Sequence, residues 1–292
     1  MIAIAGPDLP HEVLLAAACH AGPIAFDPER ETPQALQWVE SKFAPWAFAV
    51  VEGWAEHAYD GLEAVLFSRA DDTSQRLYYY ICELQRRGLL AGPEPLICDI
   101  AKIPRASSVD RTADAVRKLA QRLGVGDEAL EAAIVATNQR RDSVPALADG
   151  KRCLLAGTPP PDDRLHRAIA AQGFVPVGRT LAEDWADLGE PVAEASGDPA
   201  LAIARGMHAR QSGSRSFADP ATRLRAAIDA CSASAVVLWR IEEEEAQCWH
   251  LPAERRALDE AGVPALVLTR RDWLARDGAA AEITAFLSEI TP

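Results

Sequence analysis

The turn at residues 68–71 places polar side chains directly after a predicted strand, a position that often carries a binding or catalytic site. An apolar run, LEAVLF, ends at Phe67, and the residues SRADD separate it from a helical pattern. In open α/β sheets, ligands collect at the carboxyl ends of the strands. Arg69 is therefore a candidate for binding an anionic group, because a guanidinium donates to carboxylate and phosphate oxygens in a fixed geometry.

Two further arginines are candidates for the same task. Arg141 ends the helical segment EALEAAIVATNQRR, and Arg179 follows the short apolar run FVPV. An arginine at the end of a helix ordinarily complements the helix dipole, so a structural role is the first interpretation of Arg141. If its side chain points inward, it could instead clamp a phosphate or a carboxylate.

The segment WRIEEEEAQCWH is the densest group of side chains with possible chemistry. Glu244, Cys248 and His250 could in principle ligate a divalent metal ion, although their spacing is not that of a known metal motif. A solvated acidic helix start is the simpler interpretation, since carboxylates are favourable there. We therefore treat the three residues as weak metal candidates.

Several common catalytic and binding motifs are missing from the sequence. It has no GxGxxG or Walker loop for a nucleotide, and no GxSxG for a serine nucleophile. Its six cysteines include no CxxC pair, and they are predicted to be small buried hydrophobic residues. These observations leave catalytic residues unknown and predict no cofactor.

Composition limits the classes of partner. The chain has 292 residues, 49% of them hydrophobic, and a formal net charge of −13, which disfavours nucleic acid and anionic membrane surfaces. The sequence has no basic leader before its first apolar run and no uninterrupted apolar stretch of about 18 residues. We expect a cytoplasmic protein with no membrane span.

Short apolar runs alternate with helical patterns along the whole chain, which is typical of parallel sheets with helical crossovers. The pattern restarts after a break near residues 143–150. We predict an α/β protein with two doubly wound Rossmann-like domains, 1–148 and 149–292, and a cleft between them. We expect one helix to run through HEVLLAAACHAG, a second to be capped by Ser108 or Asp110, and a third to be capped by Asp127.

The order of these segments resembles a known family. LPHEVLLAAACHAGPIAF, VLFSRADDTSQRLYYYICELQRRG and EALEAAIVATNQRR are similar in order and spacing to segments of 2-hydroxyacyl-CoA dehydratase subunits, the family that includes benzoyl-CoA reductase subunits. GDPALAIARGMHAR, the stretch from AVVLWR to VPALVL, and EITAFLSEI follow in the same order. The resemblance covers nearly the whole chain through loose motifs.

The resemblance implies two Rossmann-like domains that hold a [4Fe-4S] cluster through three cysteines. It also implies a one-electron dehydration of an acyl-CoA, which is a lyase reaction. The three ligand positions fall on Ala70, Ala182 and Glu244, so the cysteines are absent. Alanine offers no donor to iron, and one carboxylate does not replace three thiolates. A [4Fe-4S] cofactor is therefore not expected.

Three functional hypotheses follow from this resemblance. The chain could be a cluster-free, non-redox subunit or pseudoenzyme that acts on an acyl-CoA with a cluster-bearing partner subunit or a second copy of itself. It could be an active dehydratase or reductase subunit with an atypically ligated cluster. It could also be a standalone binding protein for acyl-CoA or a small anion. Tyr78–Tyr80 form a candidate subunit interface, with packing inside the domain as the alternative.

Overall fold

The computed structural model of the protein describes residues 1–143, 147–210 and 212–290. These residues form two compact units. The first contains residues 1–143, 185–210 and 212–217, and the second contains residues 147–184 and 218–290. Helices and strands alternate along both.

The described elements include the strands and helices that the sequence pattern predicts, together with several that it does not. In chain order they are β1 (Ile2–Ala5), α1 (His11–Ala16), β2 (His20–Pro23), α2 (Ala35–Trp38), α3 (Pro45–Ala55), β3 (Ala64–Ser68), α4 (Asp72–Arg86), β4 (Glu94–Cys98), α5 (Ala106–Arg122), α6 (Asp127–Asp142), β5 (Arg152–Gly157), α7 (Arg164–Ala170), β6 (Val175–Val177), α8 (Leu181–Ala186), α9 (Pro199–Ala209), α10 (Pro220–Cys231), β7 (Ala235–Ile241), a 3₁₀ helix (Glu242–His250), α11 (Leu251–Ala261), β8 (Ala265–Arg271) and α12 (Ala279–Ile290).

Each unit is built around a four-stranded parallel sheet. The first sheet has the order β2-β1-β3-β4 and the second the order β6-β5-β7-β8, with every neighbouring pair parallel. The central strands β1, β3 and β7 are apolar throughout or nearly so, and all their residues are buried. Continuous apolar runs of this kind are typical of parallel strands covered on both faces.

These sheets confirm the predicted fold class, an α/β protein with two Rossmann-like sheets. In each unit the strand order reverses between the two central strands, β1 and β3 or β5 and β7, so the carboxyl ends of these strands mark the switch point where such folds bind ligands. The predicted cleft between the domains stays a prediction.

Residues 185–217 belong to the first unit, whereas the sequence pattern placed one boundary after residue 148. The reason lies in α9, which packs against α5 and α6 of the first unit. The buried face of α9 includes Ala202, Ile203 and Met207. The chain therefore returns to the first unit after forming the first two strands of the second sheet.

Three local expectations were wrong. The helix expected over residues 11–22 ends at Ala16, and the edge strand β2 follows it. Helix α5 begins at Ala106 after Arg105, two residues before the expected cap Ser108, while Asp110 lies inside the helix. Asp127 is the first residue of α6 and Gly126 precedes it as the cap. The expected acidic helix start after β7 is present, and it belongs to a 3₁₀ helix.

Within the described ranges, no helix is long and apolar enough to cross a membrane.

Candidate functional site

A pocket of about 390 Å³ lies in the first unit beside the carboxyl ends of β3 and β4. Arg69 follows β3 directly, Ile100 to Arg105 follow β4, and Ser107 to Arg111 form the start of α5. Arg215 and Phe217 complete the lining from a distant part of the chain. The pocket therefore lies at the carboxyl edge of the sheet, next to the switch point between β1 and β3.

Positive charge dominates the lining of this pocket. It includes four arginines and one lysine, and none of its lining residues is acidic: Arg69, Arg105, Arg111, Arg215 and Lys102 are the cationic members. The chain as a whole has a net charge of −13, so the positive charge of the pocket lining is opposite in sign to the net charge of the protein. A concave surface lined by one sign of charge concentrates ligands of the opposite sign.

Asp99, which follows β4, holds two of these arginines. Arg69 donates to one carboxylate oxygen and Arg111 to the other. Burial raises the pKa of Asp99, but the hydrogen bonds from Arg69 and Arg111 outweigh it, so the pKa is lowered overall. Asp99 therefore stays ionised near neutral pH and fixes both guanidinium groups beside the pocket.

The amino-terminal end of α5 also contributes to the lining. This helix has 17 residues, no side-chain hydrogen bond at its cap Arg105, and no acidic residue in its first turn. The first backbone N–H groups of a helix carry partial positive charge and favour an anion. Ser107 and Ser108 of this first turn line the pocket, so the helix end adds to the field of the arginines.

Residues 212–217, which we call the strap, cross the turn that follows β3. The backbone N–H of Arg215 donates to the carbonyl oxygen of Ala70 at 3.0 Å. The Ser214 hydroxyl donates to Asp71 at 2.9 Å and accepts from the backbone N–H of Asp72 at 2.8 Å. Arg215 also pairs with Asp72 at 3.1 Å. These contacts position Arg215 and Phe217 at the pocket.

A buried ion cluster anchors the chain just before the strap. Asp8, three residues after β1, is 1% exposed and pairs with Lys102, which is 4% exposed. Arg210 approaches the same carboxylate with its Nε at 2.9 Å, and Ser212 donates to it. Lys102 also donates to the carbonyl oxygen of Met207 at 2.8 Å. Since breaking a buried ion pair is costly, this cluster holds Met207, Arg210 and Ser212 close to the segment that follows β1.

Arg141, the second candidate for binding an anion, is buried with partners for all its donors. Its five N–H groups donate to the carboxylate of Glu12 at 2.6 Å, the hydroxyl of Thr137, the side chain of Asn138, and the carbonyl oxygens of Leu188 and Gly189. An arginine has five such donors. Arg141 therefore ties α6 to α1 and to the segment after α8, and it does not line the pocket.

The three positions that match family cluster ligands lie in different settings. Ala70 is fully buried beneath the strap, and Ala182 is exposed on α8. Glu244 accepts a hydrogen bond from the Thr158 hydroxyl at 2.6 Å, beside the carboxyl end of β5. Arg179, the third candidate for anion binding, is exposed in the second unit.

The weak metal candidates were Glu244, Cys248 and His250. Among the residues that the structure describes, no group of three or more His, Cys, Asp and Glu side chains is arranged to hold a metal ion. All six cysteines are free thiols, and three of them are buried. The expected absence of a [4Fe-4S] cluster stays a prediction.

The three tyrosines proposed as an interface differ in their contacts and exposure. The Tyr80 hydroxyl donates to Glu40 at 2.7 Å and its ring packs edge-on against Phe43. Tyr78 is half-buried and contacts the Phe67 ring. Tyr79 is 57% exposed. Its ring packs edge-on against Tyr78, with the ring centroids 5.0 Å apart, so all three tyrosines make contacts within the first unit.

No protein-family model matches the chain, and no curated protein is significantly similar to it. The resemblance to 2-hydroxyacyl-CoA dehydratase subunits stays a prediction.

Of the five cations in the lining, the sequence pattern singled out Arg69 alone. It did not single out Lys102, Arg105, Arg111, Arg215 or their partner Asp99. One signal was present: the strand EPLIC is followed by DIAKIPRASS, in which two cations stand between a strand end and a helix without acidic residues in its first turn. Arg215 had no local signal, because it reaches the pocket only through the path of the strap.

Proposed function

We propose that the protein binds a small organic or inorganic anion, carried on a phosphate or carboxylate group, in the basic pocket of its first unit. The observation that supports this proposal is the convergence of four arginines and the uncapped start of α5 in one pocket of a strongly acidic chain. Guanidinium groups and helix amino termini are the groups that proteins use for such anions.

The carboxylates near the pocket support the same interpretation. Asp99, Asp72 and Asp8 pair with arginines or with Lys102, yet they are fewer than the five cationic side chains of the lining. The pocket therefore keeps an excess of positive charge after its internal pairs are counted. Acyl-CoA, which the family resemblance predicts, carries phosphate groups and is one possible source of the anion.

Calorimetric titration with inorganic phosphate at low ionic strength tests the proposal. We expect saturable binding that weakens as salt is added, because salt screens exposed charges. Arg111→Gln should lower the affinity by roughly tenfold or more, since hydrogen bonds to charged groups are worth about 1.5–3 kcal/mol.

Arg117→Gln is the matched control for this experiment. Arg117 lies on the same helix and pairs with Asp114 and Asp198 outside the pocket, so its removal changes the net charge equally. We expect this variant to bind phosphate like the unmodified protein. Absence of saturable binding, or an equal loss in both variants, would contradict the proposal.

A second candidate function is the cluster-free subunit of a dehydratase-like complex. It is supported by the positions of Ala70 and Glu244, which follow or adjoin the carboxyl ends of β3 and β5, where the resemblance implies cluster ligands. Anaerobic reconstitution with iron and sulfide, followed by absorption and EPR spectra, distinguishes a cluster-free subunit from one that holds an atypically ligated cluster. We expect no stoichiometric cluster; a cluster would favour the active, atypically ligated subunit instead.

A further inference from the structure

The basic pocket is larger and more apolar than the binding of an inorganic anion requires. Its volume of about 390 Å³ falls in the range of roughly 300–1,000 Å³ that is typical of sites for organic ligands. Besides its cations, the lining contains Ile100, Ala101, Ile103 and Phe217. A phosphate ion would contact the arginines and leave this apolar part of the wall uncovered.

Two residues of the apolar part are exposed to an unusual degree. Phe217 is 61% exposed and Ile103 is 41% exposed. Both belong to the small set of large hydrophobic residues that the described chain leaves exposed. Because apolar surface in water costs about 25 cal/mol per Å², its concentration beside cations indicates a surface that a ligand covers.

Building on the anion site proposed above, we propose that the ligand is a phosphate monoester that carries a planar ring, such as a nucleoside monophosphate. Its phosphate would contact Arg69, Arg111 and the start of α5, and its ring would lie against Phe217. Aromatic side chains and guanidinium planes both stack on planar rings, and stacking on one aromatic residue contributes about 1–3 kcal/mol per base.

The strap explains how an exposed aromatic residue could act as a specific contact. Arg215, two residues before Phe217, is fixed through its backbone N–H to Ala70 and through its side chain to Asp72. Ser214 adds two hydrogen bonds to the start of α4. A ring contact on an anchored segment loses little conformational freedom when the ligand binds, which favours affinity.

The test compares four probes by calorimetry with the full chain: inorganic phosphate, ribose 5-phosphate, hexyl phosphate and 5′-AMP. We expect 5′-AMP to bind about tenfold more tightly than the other three, a difference within the range of base stacking. Phe217→Ala should remove that difference and leave the affinity for inorganic phosphate unchanged. Phe217→Tyr, which keeps an aromatic face, should retain the preference.

Tyr79→Ala provides the control for loss of an exposed aromatic residue, because Tyr79 is 57% exposed and does not line the pocket. We expect it to leave all four affinities unchanged. Equal binding of 5′-AMP and ribose 5-phosphate would overturn the ring contact, and equal binding of 5′-AMP and hexyl phosphate would overturn the requirement for a planar group. In both cases phosphate binding itself would stand, whereas failure of all four probes to bind would reject the anion site.

Discussion

Gly213 lies directly against the carbonyl oxygen of Ala70. A Cβ at position 213 would come within 2.4 Å of that oxygen, and the glycine has a φ of +78°. The same oxygen accepts the backbone N–H of Arg215. Glycine is thus the residue that lets the strap rest on the turn after β3, because it has no Cβ and adopts this φ without strain.

Gly213→Ala should therefore lift the strap and weaken phosphate binding by roughly tenfold, about the worth of one charge-assisted hydrogen bond from Arg215. The reason is steric, since the carbonyl of Ala70 is backbone and cannot move aside as a side chain would. Calorimetric titration measures the affinity, and thermal denaturation measures the accompanying loss of stability.

Gly197→Ala is the matched control for this substitution. Gly197 has a φ of +76° and no atom within 4 Å of a Cβ built there, so it carries the same backbone strain without the clash. Both variants should lose about 1 kcal/mol of stability from the left-handed backbone. Equal phosphate affinities in the two variants would show that the strap does not position the pocket.

Arg141→Met should destabilise the protein strongly and leave the affinity for phosphate unchanged. Removing one partner of a buried ion pair typically costs about 3–5 kcal/mol, and Glu12 would remain buried without its cation. Urea denaturation measures the free energy of unfolding. Arg140→Met, one residue away on the exposed side of α6, is the control and should change that free energy by less than about 0.5 kcal/mol.

If Arg141 binds an anionic ligand instead, the outcome differs. The Met variant would then lose phosphate affinity while its unfolding free energy stayed close to that of the Arg140 control.

Acid should destabilise the first unit through His11. Burial lowers the pKa of His11 to about 3, with further lowering from His20, Arg210 and Arg141. The unfolded chain binds a proton near the ordinary value of 6.5 while the folded chain does not, so stability is full above that pH and falls as the pH decreases. Between pH 7 and pH 5 the loss from this group is about 2 kcal/mol.

His11→Gln should remove that part of the pH dependence, because glutamine does not titrate. Urea denaturation at pH 7 and pH 5 gives the difference, and the exposed residue His57, replaced by glutamine, serves as the control. An unchanged pH dependence in the His11 variant would mean that the imidazole is protonated in the folded protein.

Cys98 and Cys153 should resist alkylation in the native protein. Burial raises the pKa of each thiol to about 12, so the reactive thiolate is scarce at pH 8. Mass spectrometry after brief treatment with iodoacetamide should find both unmodified, and both should react after unfolding in urea. Native modification at the rate of the unfolded chain would contradict the burial of these strands.

The fold could be predicted because its central strands are continuous apolar runs bounded by polar turns. Strands β1 and β3 are entirely buried, so their sequences consist almost entirely of apolar residues. Strand β2 could not be recognised in the same way. Its four residues, HAGP, are half-buried or exposed at the edge of the sheet, and they follow an alanine-rich helix without a change in composition.

The candidate site was less predictable because its residues meet through tertiary structure. Arg69 and Arg111 stand on different elements, and Asp99 brings them together. The expected cap at Ser108 or Asp110 was wrong for a related reason: both residue types favour caps, but Ser108 is buried in the first turn of a helix that begins earlier. The vacant cap at Arg105 became visible only in the structure.

The first unit is synthesised in two parts, which are separated along the chain by a segment of the second unit. Asp8 and Arg141 each have hydrogen-bonding or ionic partners beyond residue 187. The ribosome makes two strands of the other sheet before it makes those partners. At about 5–20 residues per second, the interval between residues 143 and 217 lasts roughly 4–15 s. During that time Asp8 has Lys102 and Arg141 has Glu12, but both lack their remaining partners. The first unit is therefore completed late, by a segment made after most of it has left the ribosome.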